Sequence, residues 1–570
     1  MEKNKEYTGE VLSLGSEGEG VINCNGVTAF VPQCLPGEMV EFKALKVSGS
    51  VAYGKLTEVI TLSKERTIPT CGAFGRCGGC QLQHMNYALQ LKFKRQSVEN
   101  CLKKIGGLSV TVDDCVASDT QYGYRNKLAI PVGVDGDGAN VIGFYAPRSH
   151  RIVPVKECAL QQKWSAKLIS LLHIFMYEQG LKGYDEVKHK GDIRQLVARE
   201  LGGKFIITVV ASHKIELEGF AKRLEKEFKN FTLLLNVNCS TGNVIFGKEW
   251  HICRGEGYFV GKDMGIKFKA GANTFLQIND DVRTKLYKAV TAKVCAKDSV
   301  AVDLYSGGGM LTALLAKGCK AAYGIEIVKE AVECADELKE MNNLTGKMFN
   351  ICGAVEDRLD EVFRLTQGAD RVIVCDPPRK GMERSVVNAI LASGAKKVVL
   401  VSCNPATLAR DLGLLCGSLK EVDGQLIKNP DYDGTPLADY YEIVSVTPFD
   451  MFPQTKHVET LVVLSHKKPD SHIEVKIDFD NTSLDKSAIA ERAEKRKPQD
   501  KPTYKDIQDW VEKNYGFKVH TAYIAEVKRN EGLPMYDAPN AVEELKRPRS
   551  HPTAEMVEAI RQALKHFEII

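Results

Sequence analysis

The sequence predicts a multidomain protein that consists, in chain order, of an N-terminal antiparallel β-barrel of the OB type, a central α+β domain, an α/β Rossmann-like domain and a small α-helical extension. Three observations support this prediction. The chain has 570 residues, which is too long for a single hydrophobic core. Residues 1–60 alternate apolar residues with Gly-rich breaks, whereas from about Ala270 strand-like apolar runs alternate with helical segments. Residues 501–570 show helical periodicity.

Composition is that of an ordinary globular protein. Hydrophobic residues make up 44% and charged residues 26% of the chain, so neither a disordered nor a membrane class is indicated. No apolar stretch approaches the roughly 18 residues of a transmembrane helix, and the charged start MEKNKEYTGE lacks the apolar core of a signal peptide. The 17 cysteines, only one group of which is closely spaced, fit a reducing compartment. We therefore expect a cytoplasmic protein.

Residues 1–61 are predicted to form the barrel. Such barrels often bind oligonucleotides. Residues 1–60 carry five Lys and eight Glu, so any contact with RNA here must come from a local patch or from backbone and aromatic groups. A purely structural barrel is the alternative.

Residues 62–270 are predicted to form the central domain, with one long helix around Trp164 to Gln179. Residues 62–105 hold eight Lys and Arg against two Glu, a balance that favours polyphosphate through counterion release. A solvated helix face explains the same charges. Downstream, QYGYRNKLAI at residues 121–130 interleaves aromatic and basic residues, which can stack bases and hold phosphates, although ordinary strand packing also accounts for the tyrosines.

Three closely spaced cysteines stand in the basic region. They follow the pattern Cys71-x5-Cys77-x2-Cys80 among four glycines, which let backbone amides turn toward the sulfur atoms. A four-iron cluster or a structural zinc normally takes four ligands, so a distant cysteine must complete the site. Cys158, which follows a strand-like segment, is the candidate. Zinc and free structural thiols are the alternatives to an iron–sulfur site.

Residues 271–465 are predicted to form the α/β domain. FLQIND is followed by a helix from Asp281 to about Val294, and a buried strand then leads into a Gly-rich turn at residues 307–309. Such a turn brings backbone close to a ligand at a helix N-terminus. The second strand ends in Glu326, placed to accept hydrogen bonds from ribose hydroxyls. The Gly-rich turn and Glu326 together fit a cofactor that contains a nucleoside, S-adenosylmethionine as well as NAD.

Polar residues follow the next strands of this domain. RVIVC, counted as the third strand, leads into Asp376 in the rigid loop DPPRKGM, and the fourth strand, VVLVS, leads into Cys403. Open α/β sheets place their chemistry at this edge, so Cys403 is a candidate nucleophile. The alternative is a small buried hydrophobe. His457 and Glu459 precede a final apolar strand, and Glu459 taken alone is a surface carboxylate.

Polar residues 466–500 are predicted to be a linker, and residues 501–570 a helix-turn-helix-like unit. The apolar positions that predict its first and last helices are Ile507, Trp510 and Val511, and Val557, Ile560, Leu564 and Phe567. This extension either directs the protein to its target or packs on the core.

Six motifs in order resemble one family, the RNA uracil-5-methyltransferases that use S-adenosylmethionine. The motifs are FLQIN, DLYSGGG, GIE, DPPRKG, SCNP and FPQTKHVET, and they extend over roughly residues 60–465. In the barrel, VPQCLPGEMVEFKALKV resembles the TRAM module. This module and the four cysteines together resemble the ribosomal RNA branch of the family rather than the bacterial transfer RNA branch.

The resemblance implies a class I methyltransferase fold for residues 271–465, with part of residues 90–120 packed on it, and an iron–sulfur cluster in the central domain. It also implies a role for each matching residue. Cys403 corresponds to the nucleophile and Glu459 to the general base. S-adenosylmethionine would be bound by Gln277, Tyr305, Glu326 and Asp376, and a [4Fe-4S] cluster by Cys71, Cys77, Cys80 and Cys158.

The activity implied by the resemblance is methyl transfer to C5 of an unpaired uridine, in 23S ribosomal RNA, through a covalent bond from Cys403 to C6. A monomer without membrane contact is expected. Transfer RNA is the alternative substrate, and a non-catalytic iron–sulfur RNA-binding protein is the alternative class. A radical S-adenosylmethionine enzyme has C-x3-C-x2-C, whereas five residues separate the first two cysteines here. An amino-group methyltransferase typically ends its Pro-Pro loop in an aromatic residue, and Arg379 stands there.

Overall fold

The computed structural model describes residues 1–435, 439–466, 504–531 and 552–567. The chain divides into two compact units, residues 1–471 and 472–570. Apart from residue 466, the predicted linker at 466–500 lies outside the described residues. Within the described ranges, every helix is too short or too polar to cross a membrane.

The first 61 residues form a closed five-stranded barrel with the strand order β1-β2-β3-β5-β4. Its strands are β1 (Glu6–Leu14), β2 (Gly20–Cys24), β3 (Val27–Val31), β4 (Met39–Ser48) and β5 (Val51–Thr61). The predicted barrel is therefore present, but the prediction that it is wholly antiparallel was wrong. Strands β3 and β5 are neighbours and pair in parallel, whereas β4, which separates them in the chain, pairs antiparallel with both β5 and β1. Alternate side chains such as Ile22, Val40 and Phe42 fill its interior.

The central domain is built on a seven-stranded sheet of order β12-β11-β10-β9-β6-β7-β8. Its elements are β6 (Lys127–Val134), β7 (Asn140–Tyr145), β8 (Ile152–Pro154), α2 (Trp164–Gln179), β9 (Ile193–Leu201), β10 (Lys204–Ala211), α3 (Glu218–Glu225), β11 (Phe231–Val237) and β12 (Glu249–Arg254). Helix α2 has the predicted bounds, whereas α3 was not predicted. Both helices bury apolar faces in the same core as the sheet, with Phe175 of α2 against Phe220 of α3.

A second seven-stranded sheet, of order β17-β16-β15-β18-β19-β23-β22, forms the α/β domain. A hairpin of β13 (Tyr258–Asp263) and β14 (Ile266–Gly271) precedes it. The strands are β15 (Ser299–Leu304), β16 (Ala321–Glu326), β17 (Met348–Cys352), β18 (Asp370–Cys375), β19 (Lys397–Ser402), β22 (Tyr441–Phe449) and β23 (Glu459–His466); β20 (Leu419–Val422) and β21 (Gln425–Lys428) form a separate hairpin. The first five strands of the sheet are parallel, and β23 pairs antiparallel with both β19 and β22.

Helices precede, connect and follow the parallel strands of this sheet. They are α4 (Asp280–Val294), α5 (Met310–Gly318), α6 (Lys329–Met341), α7 (Val355–Leu365), α8 (Arg384–Ala392) and α9 (Pro405–Leu415), and α1 (Tyr87–Lys104) joins them from earlier in the chain. The prediction that RVIVC is the third strand was wrong, because β17 and α7 intervene. Strand β18 is therefore the fourth and β19, which precedes Cys403, the fifth.

Helix α1 belongs to the core of the α/β domain although it precedes the central domain in sequence. Its buried residues Val98 and Leu102 lie in one hydrophobic cluster with Leu408 and Leu412 of α9 and with Val302 of β15. The α/β domain is thus assembled from two separate stretches of chain.

The second unit contains helices Tyr504–Tyr515, Thr521–Asn530 and Ala554–His566 in its described part. Ile507, Val511, Ile560 and Leu564 are fully buried, and Trp510, Val557 and Phe567 pack against them. The predicted apolar faces of the first and last helices therefore form a core of their own.

Candidate active site

Cys403 and Glu459 lie beside each other at the ends of neighbouring strands. Strands β19 and β23 run antiparallel, and Ser402 pairs with Thr460. One step further along both chains, Cys403 leaves β19 opposite Glu459, the first residue of β23. The structure therefore brings together two residues that are 56 positions apart in the sequence.

Both groups are stabilised in their protonated forms. Burial, and next the nearby Asp376, raise the pKa of the Glu459 carboxyl well above its usual value. Burial, and next Glu459 itself, raise the pKa of the Cys403 thiol. Arg379 opposes both effects, since its positive charge lowers the pKa of each group. A thiol and a carboxyl whose charges are controlled by one cation can serve as nucleophile and base.

The loop after Cys403 is tied to the loop after β18. Asn404 caps helix α9, because its side-chain oxygen accepts a hydrogen bond from the Ala406 amide at 3.1 Å, and Pro405 occupies the first turn. The Asn404 side-chain amide donates to the Arg379 carbonyl at 3.0 Å. Thr407 donates to the same carbonyl through its hydroxyl at 3.3 Å.

Asp376 comes directly after β18 and is half-buried at the same edge of the sheet. Burial raises the pKa of its carboxyl to about 7. Near neutral pH this group can therefore both donate and accept a hydrogen bond, which suits contact with a nucleobase or a cofactor edge.

Glu326 and the Gly-rich turn form one structure at the ends of β15 and β16. One carboxylate oxygen of Glu326 accepts from the Gly307 amide at 2.9 Å, and the other accepts from the Val328 amide at 2.8 Å. Gly309 adopts a φ of 79°, and a Cβ there would lie 2.7 Å from the Ala335 side chain. Only glycine fits this position, so the turn can come close to α6.

Gln277 lies shortly before α4, and Tyr305 directly follows β15. Gln277 is buried, and its carbonyl accepts from the side chains of Asn126 at 3.1 Å and Arg283 at 3.3 Å. Asn126 belongs to the central domain, so the FLQIN segment is joined to that domain. Tyr305 is half-buried with a φ of 64°, and burial raises the pKa of its hydroxyl.

The four predicted ligand cysteines line a single cavity of about 60 Å³. The lining includes Cys71, Cys77, Cys80 and Cys158, and the Gly79 amide donates to the Cys77 sulfur at 3.4 Å. As the side chains stand, no three His, Cys, Asp or Glu residues in the described ranges are grouped closely enough to hold a metal ion. The structure thus brings the four thiols together without showing a metal site.

The aromatic and basic stretch at 121–130 serves packing at several of its positions. Tyr124 is buried and its hydroxyl donates to the Pro453 carbonyl at 3.1 Å, while Asn126 is fully buried. These two side chains are therefore not free to stack on bases. Burial, and next the charge of Arg199, lower the pKa of Lys127 to about 8. Arg125 lines the cysteine cavity, and its Nε has no hydrogen-bond partner among the described residues.

Two residues with clear electrostatic roles were not predicted as site residues. Arg379 was noted only as the residue after the Pro-Pro loop, yet its charge acts on both Cys403 and Glu459. Asp303 is buried at the end of β15 and accepts from the Thr312 hydroxyl at 2.6 Å, and burial raises its pKa to about 7. Its position near the end of a buried strand, four residues before Gly307, is a sequence signal that could have found it.

Sequence comparisons identify similar proteins of one class. A profile of the family described as tRNA (uracil-5-)-methyltransferase matches residues 86–421. The chain is 36% identical over 472 residues to a Clostridium tetani protein named as an uncharacterized RNA methyltransferase, a match that covers 82% of this chain and 97% of the relative. A Halalkalibacterium halodurans protein, likewise named as an uncharacterized RNA methyltransferase, is 34% identical, with 82% of this chain and 98% of the relative covered.

A solved structure is similar over most of its length. It is the tRNA (uracil-54, C5)-methyltransferase of Pyrococcus abyssi in complex with S-adenosyl-L-homocysteine, with a TM-score of 0.61 and 25% sequence identity. The match covers 80% of this chain and 99% of that chain.

Proposed function

The chain belongs to the family of S-adenosylmethionine-dependent RNA uracil-5-methyltransferases, and from this premise we propose that it methylates C5 of a uridine in 23S ribosomal RNA through a covalent bond between Cys403 and C6. The observation that carries the mechanism is the position of Cys403 opposite Glu459, with Arg379 acting on both. This arrangement supplies a nucleophile and a proton acceptor on one side of a target uracil.

The chemistry requires a nucleophile because C5 of uracil is a weak carbon nucleophile at neutral pH. The Cys403 thiolate adds to C6, and the electron pair of the C5–C6 double bond makes C5 enolate-like. C5 then takes the methyl group from the sulfonium, whose sulfur–carbon bond breaks to leave S-adenosylhomocysteine. The Glu459 carboxylate removes the C5 proton, the C5–H electron pair restores the double bond, and the thiolate leaves.

Arg379 favours the charged forms of both residues during this sequence. Since burial keeps Cys403 and Glu459 protonated, the reaction needs a cation that makes deprotonation easier. Cys403 must lose its proton before addition, and Glu459 must be a carboxylate when the C5 proton is removed. Asp376, at the same edge, is placed to hold the uracil or the cofactor.

The proposed site of the methyl donor is the carboxyl ends of β15 and β16. Glu326 is fixed by two backbone amides, which orients its carboxylate toward this edge for ribose hydroxyls. Gln277, before α4, and Tyr305, after β15, are assigned to the same donor site because of the family resemblance. These residues bind and orient the donor.

The four cysteines fit a [4Fe-4S] cluster in donor type and number. Cys71, Cys77, Cys80 and Cys158 face one cavity, and the Gly79 amide already donates to one sulfur. A cluster bound there would join residues 71–80 to the segment after β8 and so organise an RNA-facing domain. The N-terminal barrel, as a TRAM module, and the basic residues of 62–105 would then contact the RNA. We also propose that the protein acts as a monomer in the cytoplasm.

Transfer RNA is the second candidate substrate. The observation in its favour is the similarity to the Pyrococcus abyssi tRNA (uracil-54, C5)-methyltransferase. Either RNA must present the uridine out of its stack, which costs least in an unpaired loop.

Mapping of 5-methyluridine decides between the two RNAs. A deletion strain should lack the modification at a position in 23S ribosomal RNA, and the wild-type gene, but not a Cys403→Ala gene, should restore it. Loss of 5-methyluridine from transfer RNA alone would replace the ribosomal proposal with the second candidate.

Substitution of Glu459, the proposed general base, tests the covalent mechanism. Glu459→Gln removes the proton acceptor but leaves Cys403 able to add to C6, so a protein–RNA adduct should accumulate on a denaturing gel. Normal turnover without an adduct would show that another group removes the proton.

A further inference from the structure

The loop that carries Glu459 is held from outside the parallel sheet. Residues 450–458 connect β22 to β23 and end at Glu459. Their hydrogen-bond partners include groups in four places outside the sheet. These are helix α1, Gln81 and Leu82 after Cys80, Val116, and Tyr124 of the central domain. The position of the predicted base therefore depends on residues more than 300 positions earlier in the chain.

Gln454 is the first fixed point of this loop. It is buried with a φ of 69°, a left-handed conformation that a non-glycine residue keeps only when its surroundings enforce it. The enforcement comes from Gln90 of α1, whose side-chain oxygen accepts from the Gln454 amide at 3.0 Å and whose Nε2 donates to the Gln454 Oε1 at 3.0 Å. The Gln454 carbonyl accepts from the amides of Gln81 at 3.2 Å and Leu82 at 3.0 Å.

A fully buried ion pair is the second fixed point. Lys94 of α1 and Asp450 form a salt bridge, and neither side chain is exposed. The Lys94 ammonium also donates to the Phe452 carbonyl at 3.0 Å. Because a buried charge without its partner is strongly unfavourable, the pair holds the start of the loop in one place.

The nucleophile is held by different contacts. Cys403 is positioned by β19, by the Asn404 cap of α9 and by the bond from Asn404 to the Arg379 carbonyl. None of these contacts involves Gln90, Lys94 or Gln454. A change at Gln90 or Lys94 should therefore move the base and leave the nucleophile and the carboxyl ends of β15 and β16 in place.

We propose that Gln90 and Lys94 are positioning residues for Glu459 and act on the proton-removal step. This inference rests on the proposed function, because it assigns Glu459 the role of base. Proton transfer requires the base within hydrogen-bond reach of the C5 proton, so a small displacement of the loop slows this step selectively.

The test measures formation of the covalent adduct separately from removal of the C5 proton. Gln90→Leu removes every hydrogen bond between Gln90 and the loop. Turnover (kcat) on uridine RNA should fall about 10- to 100-fold, and a protein–RNA adduct should accumulate. Because methyl transfer precedes the slowed step, KM should fall with kcat, and kcat/KM for RNA should stay near the wild-type value. RNA with 5-fluorouridine at the target carries no proton on C5, so its adduct forms without the base. The variant should form this adduct at the wild-type rate.

Two further variants and a matched control complete the experiment. Gln96→Leu makes the same change at an exposed glutamine of the same helix, and its turnover should equal that of the wild type. Gln454→Asn keeps an amide that tolerates the left-handed backbone but shortens its reach to Gln90, and should give an intermediate loss. Lys94→Met should reproduce the effect of Gln90→Leu.

Three outcomes would contradict the inference. Wild-type turnover in Gln90→Leu would exclude a positioning role. An equal loss of turnover and of 5-fluorouridine adduct in Gln90→Leu would show a general structural role. If Gln90→Leu did not fold, the milder variant Gln454→Asn would be tested for the same two quantities and would distinguish a positioning role from a structural one. Absence of a 5-fluorouridine adduct from the wild-type protein would overturn the proposed function itself, and the inference with it.

Discussion

The side-chain amide of Asn404 donates a hydrogen bond to the backbone carbonyl of Arg379 at 3.0 Å. The loop that carries Cys403 and the loop that carries Asp376 are consequently fixed to each other. The same contact places the Arg379 side chain where its charge acts on the thiol and on Glu459.

Cys403→Ala should abolish methylation. We expect the rate to fall by about 1,000-fold or more, because the covalent step is lost, while the affinity for S-adenosylmethionine stays within about twofold. Transfer of a labelled methyl group to RNA and equilibrium binding of the cofactor measure the two quantities. Cys239→Ala, at an exposed thiol of the central domain, is the control. Methylation at a substantial rate by Cys403→Ala would exclude this residue as the nucleophile.

Arg379→Met should shift the pH–rate profile to higher pH. The substitution keeps the backbone carbonyl that binds Asn404 but removes the charge that lowers the pKa of Cys403 and of Glu459. Since both groups act deprotonated, activity rises with pH, and we expect a displacement of about one unit, or about tenfold less activity at pH 7. Methylation rates between pH 6 and 9.5 would show it.

The neighbouring cation provides the control for that profile. Lys380 pairs with Glu383 on the surface, so Lys380→Met removes an equal charge one residue away. Its profile should match the wild type. Coincident profiles for Arg379→Met and Lys380→Met would remove Arg379 from the mechanism.

Cys158→Ser should eliminate bound iron. We expect the protein purified without oxygen to hold about four iron atoms per chain and the variant to lose most of them, because a four-iron cluster takes four thiolates. Iron analysis and visible absorption measure the outcome. Cys239→Ser, at an exposed cysteine outside the cavity, should keep its iron. Iron-free wild-type protein, or equal iron in both variants, would contradict the cluster.

Asp303→Asn should stabilise the protein at alkaline pH. The folded pKa of Asp303 is about 7, above an unfolded value of about 3.9, so the wild type has its full stability below about pH 4 and loses it as the pH rises through 7. Asparagine at this position does not ionise and so avoids this loss of stability. Its side-chain oxygen can still accept the hydrogen bond from the Thr312 hydroxyl. The difference in free energy of unfolding should be near zero at pH 4 and reach about 4 kcal/mol at most at pH 8.

Thermal unfolding of both proteins across this pH range is the measurement. Asp298→Asn, at an exposed carboxyl shortly before β15, is the control and should leave the melting temperature nearly unchanged at each pH. A gap between Asp303→Asn and the wild type that does not grow with pH would contradict the assigned burial effect.

Local periodicity predicted much of the fold. Helix Trp164–Gln179 and the strand before Cys403 were evident because each is a long apolar pattern with clear ends. Strand Met348–Cys352 was missed, since it is five residues long and mostly exposed or half-buried, without an apolar run. The parallel pairing of β3 with β5 was missed because pairing direction depends on how the barrel closes.

The site was predictable only in part for a related reason. Four of the motifs, DLYSGGG, GIE, DPPRKG and SCNP, indicated strand ends, and the family resemblance linked Cys403 to Glu459. The charge of Arg379 at both groups, and the contact of Gln90 with Gln454, arise between segments that are distant in sequence. No local pattern encodes such contacts, so they became visible only in three dimensions.

The packing of α1 on α9 has a consequence for dissecting this protein. The family match begins at residue 86, one position before α1, and the buried face of that helix completes the core of the α/β domain. In chain topology, the central sheet is thus an insertion within the catalytic domain. A fragment that starts at residue 271 would leave apolar side chains of α9 facing water and would aggregate. A minimal catalytic fragment has to include residues 86–112, joined to β14 by a short engineered linker.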